Sequence, residues 1–232
     1  MQIKIEEDGA AVARAGAAFV TDAAWAAIAA RGKFLFAVSG GHTPWEMMRQ
    51  LAATDLPWDR IHLFQVDERI APAGDPDRNL THLRESLLAH VAVPPGNVHA
   101  MRVEAADADA AAADYARELA QVAGSPAALD LIHLGLGPDG HTASLVPNDA
   151  VLEVKDRDVA ITAGEYQGRR RMTLTYPALD RARAILWLID GAAKADMLPL
   201  VAAGDPAIPA GRVHAANSTA IVDRAAAAKL HS

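Results

Sequence analysis

The sequence predicts an α/β protein with a mostly parallel, Rossmann-like sheet and helices on both faces. Short apolar runs of strand type alternate with helical segments along the 232 residues. Three of these runs end in polar clusters, at 39–43, 67–69 and 139–142, where such sheets gather ligands beyond the C-terminal ends of their strands. No repeat, low-complexity tract or inter-domain linker interrupts the pattern, so residues 1–232 read as one domain.

In chain order, residues 9–31 space Val12, Phe19, Trp25 and Ile28 among alanines as an amphipathic helix, with Gly32 as its stop. Phe34 to Val38 is a compact apolar strand that breaks at Ser39-Gly40-Gly41. A helix restarts near Pro44, a residue suited to a first turn, and runs through Leu51. Ile61 to Val66 is a second strand ending at Asp67-Glu68-Arg69, and a loop over 71–78 leads to a helix around Leu80 to His90. Another helix covers 105–123. Leu129 to Leu134 is a third strand, running into Gly135 to His141. Arg171 to Thr175, Ala184 to Ile189 and Ser218 to Val222 complete the strands.

Composition removes several function classes. Twenty-two basic residues against 29 acidic ones give a net charge of −7, which disfavours a nucleic-acid surface. Uninterrupted apolar runs such as Ala184 to Ile189 are too short to cross a bilayer, and the N-terminus has no signal-peptide pattern. The expectation is a cytoplasmic protein without a membrane partner. No cysteine is present, so disulfides, thiolate metal sites and a Cys nucleophile are excluded. The nine histidines include no His-Glu-x-x-His or His-x-His pair, and no GxSxG occurs; no metal, no cofactor and no serine nucleophile are expected.

The chemistry concentrates in the strand-end clusters. Ser39-Gly40-Gly41-His42-Thr43-Pro44 combines close backbone approach, hydroxyl donors and a following helix, which suits a phosphate or simply a capped βα turn. Asp67-Glu68-Arg69 offers a carboxylate and a forked cation for a phosphosugar, or else an internal ion pair. In Gly137-Pro138-Asp139-Gly140-His141-Thr142 an Asp precedes a His by two residues; the His can take a proton from water near neutrality, and the Asp can orient it. A histidine that merely caps the loop is the other reading. Arg171 at a strand start and Lys194 after a strand exit can reach an anion, whereas Arg169-Arg170-Arg171 can also form a solvated loop.

Taken in order, these segments, with Asn79, Gly135 to Leu145, Arg171 to Thr175 and Gly191-Ala192-Ala193-Lys194, resemble the 6-phosphogluconolactonase family within the sugar-phosphate isomerase and deaminase fold group. The resemblance implies hydrolysis of a small phosphosugar lactone without metal, by a monomer or weak homo-oligomer. It implies that Gly40, Gly41 and Thr43 touch the phosphate or sugar, with Ser39, His42 and Asn79 in the same binding set. Arg69, Arg171 and Lys194 would surround the phosphate, Asp67 would place the ring, and His141 would be the base that Asp139 orients. His42 and Arg78 depart from the family pattern and bear on phosphate contact. Glucosamine-6-phosphate deaminases share the turn but follow it with a Glu; this chain reads Thr142-Ala143-Ser144-Leu145-Val146-Pro147, and has Arg69 where they have an aromatic residue. A non-catalytic sugar-phosphate sensor is a further alternative, against which the retained Asp139 and His141 count.

Overall fold

A computed structural model describes residues 1–230. Its elements, in order, are β1 (Gln2–Glu6), α1 (Gly9–Arg31), β2 (Phe34–Val38), α2 (His42–Ala52), β3 (Ile61–Gln65), β4 (Asp67–Arg69), α3 (Asn79–Leu83), β5 (Val98–His99), α4 (Ala108–Ala123), β6 (Leu131–Leu134), β7 (Val159–Ile161), β8 (Arg171–Leu174), α5 (Tyr176–Asp180), β9 (Ile185–Ile189), α6 (Leu198–Ala203) and β10 (Ser218–Asp223).

Seven strands form one sheet in the order β1-β10-β9-β6-β2-β3-β5, every pair parallel. Both of its faces are covered. Along β2, Phe34, Phe36 and Val38 pack with α1 and α2 side chains such as Val20 and Met47, while Leu35 and Ala37 pack on the other face with Tyr115 and Leu119 of α4. A strand buried on both sides has no reason to alternate, which is why β2 reads as a continuous apolar run.

From β2 the chain winds outward through β3 and β5; it returns at β6 on β2's other side and winds outward again through β9 and β10. The reversal opens a crevice at the carboxyl ends of β2 and β6.

Helix α1 is capped by the Asp8 side chain and ends in left-handed Gly32, at the predicted boundaries. Its 23 residues are long and apolar enough to span a bilayer by length and composition, although no long uninterrupted apolar run occurs in them. Its buried side, including Val12, Ala13, Val20 and Ala24, instead packs into the core.

Two expectations are corrected. Asp67–Arg69 does not end the second strand; it is a separate strand, paired antiparallel with β8, and β8 pairs antiparallel with β7. Arg171–Leu174 therefore lies in a second, three-stranded sheet rather than in the parallel one. Three strands were not anticipated: β1, β5 and β7.

Candidate active site

Alternation along β4 divides its three charged residues. Asp67 and Arg69 face a cavity of about 380 Å³ at the crevice, while Glu68 turns inward and is fully buried. There one Glu68 oxygen accepts from the Arg69 and Asn79 amides, and the other from the Leu80 amide and Gln65 Nε2, with Arg78 Nε 3.1 Å away. Glu68 thus caps α3 and neutralises a buried arginine. Arg78 also donates to Glu104 and to the Ala71 carbonyl. It does not line the cavity, so the expectation that it bears on phosphate contact is corrected: its charge is consumed internally.

The cavity brings together most of the residues the sequence singled out. Ser39 to Thr43 enter from the β2–α2 turn, Arg69 from β4, Asn79 from α3, His141 from the β6 loop, Arg171 from β8, and Lys194 from the turn after β9. At the start of α2 the first amides have no carbonyl one turn earlier to receive them, which leaves donors for an anion. Gly40 has a steric reason as well: a Cβ there would lie 2.0 Å from Asn79 Oδ1. Thr43 is buried and its hydroxyl donates to Asp190 Oδ1 at 2.7 Å, so that group ties α2 to the β9 exit. Asp67 is likewise held, accepting from Ser144 Oγ at 2.7 Å and from the Asn79 side-chain amide at 3.3 Å.

Arg69, Arg171 and Lys194 form the cationic arc of the lining. Arg171 is buried, and its Nη2 donates to the Tyr166 carbonyl and Gln167 Oε1. Burial, then the charge of Arg69, lowers its pKa from the ordinary arginine value. Burial also lowers that of Lys194, against the opposing pull of Asp190 and Asp139. Among the described residues, the buried atoms Ser39 Oγ, Arg69 Nε and Arg171 Nε have no hydrogen-bond partner, and neither do Arg78 Nε and His133 Nε2 away from the cavity. Beneath the turn, His133 is fully buried; burial pushes its pKa down to about 3, and its neutral Nδ1 accepts from the Ser39 amide at 3.3 Å.

In the same lining, His141 Nδ1 stands 2.5 Å from Asp139 Oδ1. Burial raises the Asp139 pKa, but hydrogen bonding to His141 and the histidine's charge outweigh it and hold the carboxyl below its ordinary value. An ionised Asp139 accepts a hydrogen bond from Nδ1–H, which leaves the Nε2 lone pair for chemistry. Gly137 makes this approach possible, since a Cβ there would fall 2.0 Å from His141 Nδ1 and 2.7 Å from Asp139 Oδ1. No group of three or more His, Cys, Asp or Glu side chains with metal-binding geometry occurs among the described residues.

Residues absent from the expected set also belong here. Asp190 and Gln167 line the cavity, Ser144 fixes Asp67, and Tyr166 donates to Asp139 Oδ2 at 2.9 Å. Asp190 carried a signal, as a carboxylate at a strand exit. Arg169 and Arg170 stay outside, Arg169 pairing with Asp75 and Asp77.

The family of glucosamine-6-phosphate isomerases/6-phosphogluconolactonase matches residues 7–222. The chain belongs to this family. It is 42% identical to the 6-phosphogluconolactonase of Mycobacterium tuberculosis, across 95% of this chain and 94% of that one. Against the Synechocystis 6-phosphogluconolactonase the identity is 46%, over 72% and 71% of the two chains. A crystal structure of the Thermotoga maritima 6-phosphogluconolactonase superposes with a TM-score of 0.86 at 30% identity, covering 96% of this chain and 98% of that one. A monomeric glucosamine-6-phosphate deaminase shares the fold at a TM-score of 0.85 and 18% identity, covering 99% of this chain and all of that one.

Proposed function

We infer that the chain hydrolyses 6-phosphoglucono-1,5-lactone to 6-phosphogluconate, with His141 as general base and without a metal. The carrying observation is that His141, paired with Asp139 behind it, lines one cavity together with Arg69, Arg171 and Lys194. The names of the relatives support the substrate.

The arc and the α2 amides seat the phosphate, which fixes the sugar with its carbonyl carbon toward His141. His141 Nε2 takes a proton from water as the water oxygen bonds to that carbon, and the imidazolium is stabilised by Asp139. The tetrahedral oxyanion then collapses and breaks the bond to the ring oxygen. That oxygen leaves with the proton from His141, and the new carboxylic acid releases its own proton to solvent. A lactone is already an ester, so one base and good positioning suffice. Asp67, held by Ser144 and Asn79, borders the ring site and helps place it. Residues 1–232 act in this reading as one cytoplasmic catalytic domain, as a monomer or weak homo-oligomer, without nucleic-acid or membrane partners.

The test is a direct comparison of substrates. Wild-type protein is expected to open freshly made 6-phosphogluconolactone well above the spontaneous rate and to release no ammonia from glucosamine 6-phosphate. Ammonia release with no lactone opening would replace this reading by the deaminase one; ligand-induced thermal stabilisation with neither reaction would replace it by the sensor.

Gly137→Ala is expected to lower kcat at least about 100-fold, because the added methyl must push His141 or Asp139 out of register. Its far-ultraviolet circular dichroism should match wild type, and a kcat near the wild-type value would show that the pair tolerates displacement.

A further inference from the structure

Between β7 and β8 the chain makes a hairpin whose tip is Gln167-Gly168, both residues at positive φ, 55° and 77°. Tyr166 and Arg169 pair across this two-residue turn, which has the backbone signs of a type I′ hairpin. Outside the cavity the tip is tied down by Arg169, which pairs with Asp75 and Asp77. The same turn places Tyr166 against three residues of the site, Asp139, His141 and Arg171.

Its hydroxyl donates to Asp139 Oδ2 at 2.9 Å and lies 3.2 Å from His141 Nδ1, and its ring meets the His141 imidazole edge-on at 5.0 Å between centroids. The same ring lies 5.0 Å from the Arg171 guanidinium carbon, whose Nη2 donates to the Tyr166 carbonyl. One residue therefore touches both the base pair and the principal buried cation of the arc.

We propose that Tyr166 is a positioning residue for the hydrolysis, its hydroxyl fixing the Asp139–His141 pair and its ring fixing Arg171. The hydroxyl binds the Asp139 oxygen that His141 does not use, which resists rotation of the carboxylate and keeps its other oxygen on Nδ1. The ring offers Arg171 a π-face, which holds the guanidinium in place beside the cavity. The phenol remains protonated and able to donate, since burial, then the hydrogen bond to Asp139 and its charge, raises its pKa above the ordinary tyrosine value. This inference rests on the hydrolase reading.

The two roles separate by substitution. Tyr166→Phe keeps the ring and loses only the hydroxyl; it is expected to lower kcat about tenfold with KM within about twofold of wild type. Tyr166→Leu loses both; it is expected to lower kcat similarly and also to raise KM at least about fivefold. The hydroxyl role is overturned if wild type is active and Tyr166→Phe retains kcat within twofold. If the two variants show the same KM, the ring role is overturned. An unfolding midpoint measured for each variant distinguishes loss of positioning from loss of fold. A wild-type protein that leaves the lactone at its spontaneous rate would instead remove the hydrolase reading, and this inference with it.

Discussion

His141→Ala is expected to lower kcat for 6-phosphogluconolactone by about 1,000-fold, within the range that a positioned general base contributes. KM should change less than about threefold, because the arc of Arg69, Arg171 and Lys194 that holds the phosphate is untouched. The variant should fold normally. His141 sits at the cavity wall with its side chain 19% exposed, and the Asp139 carboxylate left behind keeps its bond from the Tyr166 hydroxyl. Residual turnover would come from positioning alone. Initial rates of proton release, corrected for spontaneous opening, measure both constants. A kcat within tenfold of wild type would move the base role to another group.

Arg171→Ala is expected to act on the other constant, raising KM about 100-fold with a smaller change in kcat. The phosphate is the same in ground and transition states, so a group that binds it contributes to both. The magnitude follows from burial: Arg171 is only 3% exposed, and a charge-assisted contact shielded from water is far stronger than one at the surface. Inhibition by inorganic phosphate should weaken in parallel. Arg157→Ala, at an exposed pair with Asp156, should change neither constant. An Arg171→Ala protein that keeps its KM would show that Arg69 and Lys194 carry the phosphate without it.

How far the sequence could be read depended on whether the signal was local. Phe34 to Val38 announced a strand because both faces are buried, and the Gly-x-Asp-Gly-His turn announced the base pair because donor and acceptor lie two residues apart. Of the second sheet only Arg171–Leu174 was legible as a strand, and nothing in the sequence separated it from the parallel sheet. The second sheet's strands are three or four residues long, and Asp67 pairs with Thr173 across a separation that no window spans. Three adjacent charges at 67–69 looked like one cluster. Only the strand alternation separates Asp67 and Arg69, which face the cavity, from Glu68, which meets Arg78 beneath it.

Strand β1 was missed for a different reason. It is an edge strand with Ile5 exposed, and it has no clean period. Tyr166 was illegible because its turn is local but its destination is not: the β7–β8 pairing decides that the hydroxyl arrives at Asp139, 27 residues away. Asp190 was visible at a strand exit, yet its bond to Thr43 required the parallel neighbours to be known.

Joint action of the cationic arc and the histidine base on a phosphorylated lactone has a direct readout. It is tested most directly by comparing wild-type kcat/KM on freshly made 6-phosphogluconolactone and on unphosphorylated glucono-1,5-lactone, by proton release with a chelator present. Rapid, chelator-insensitive opening of the phosphorylated lactone is expected, with a preference for it of at least about 1,000-fold, the order expected when several charge-assisted contacts are lost together. Equal efficiency on both lactones would contradict the phosphate arc, and turnover abolished by the chelator would contradict the metal-free base.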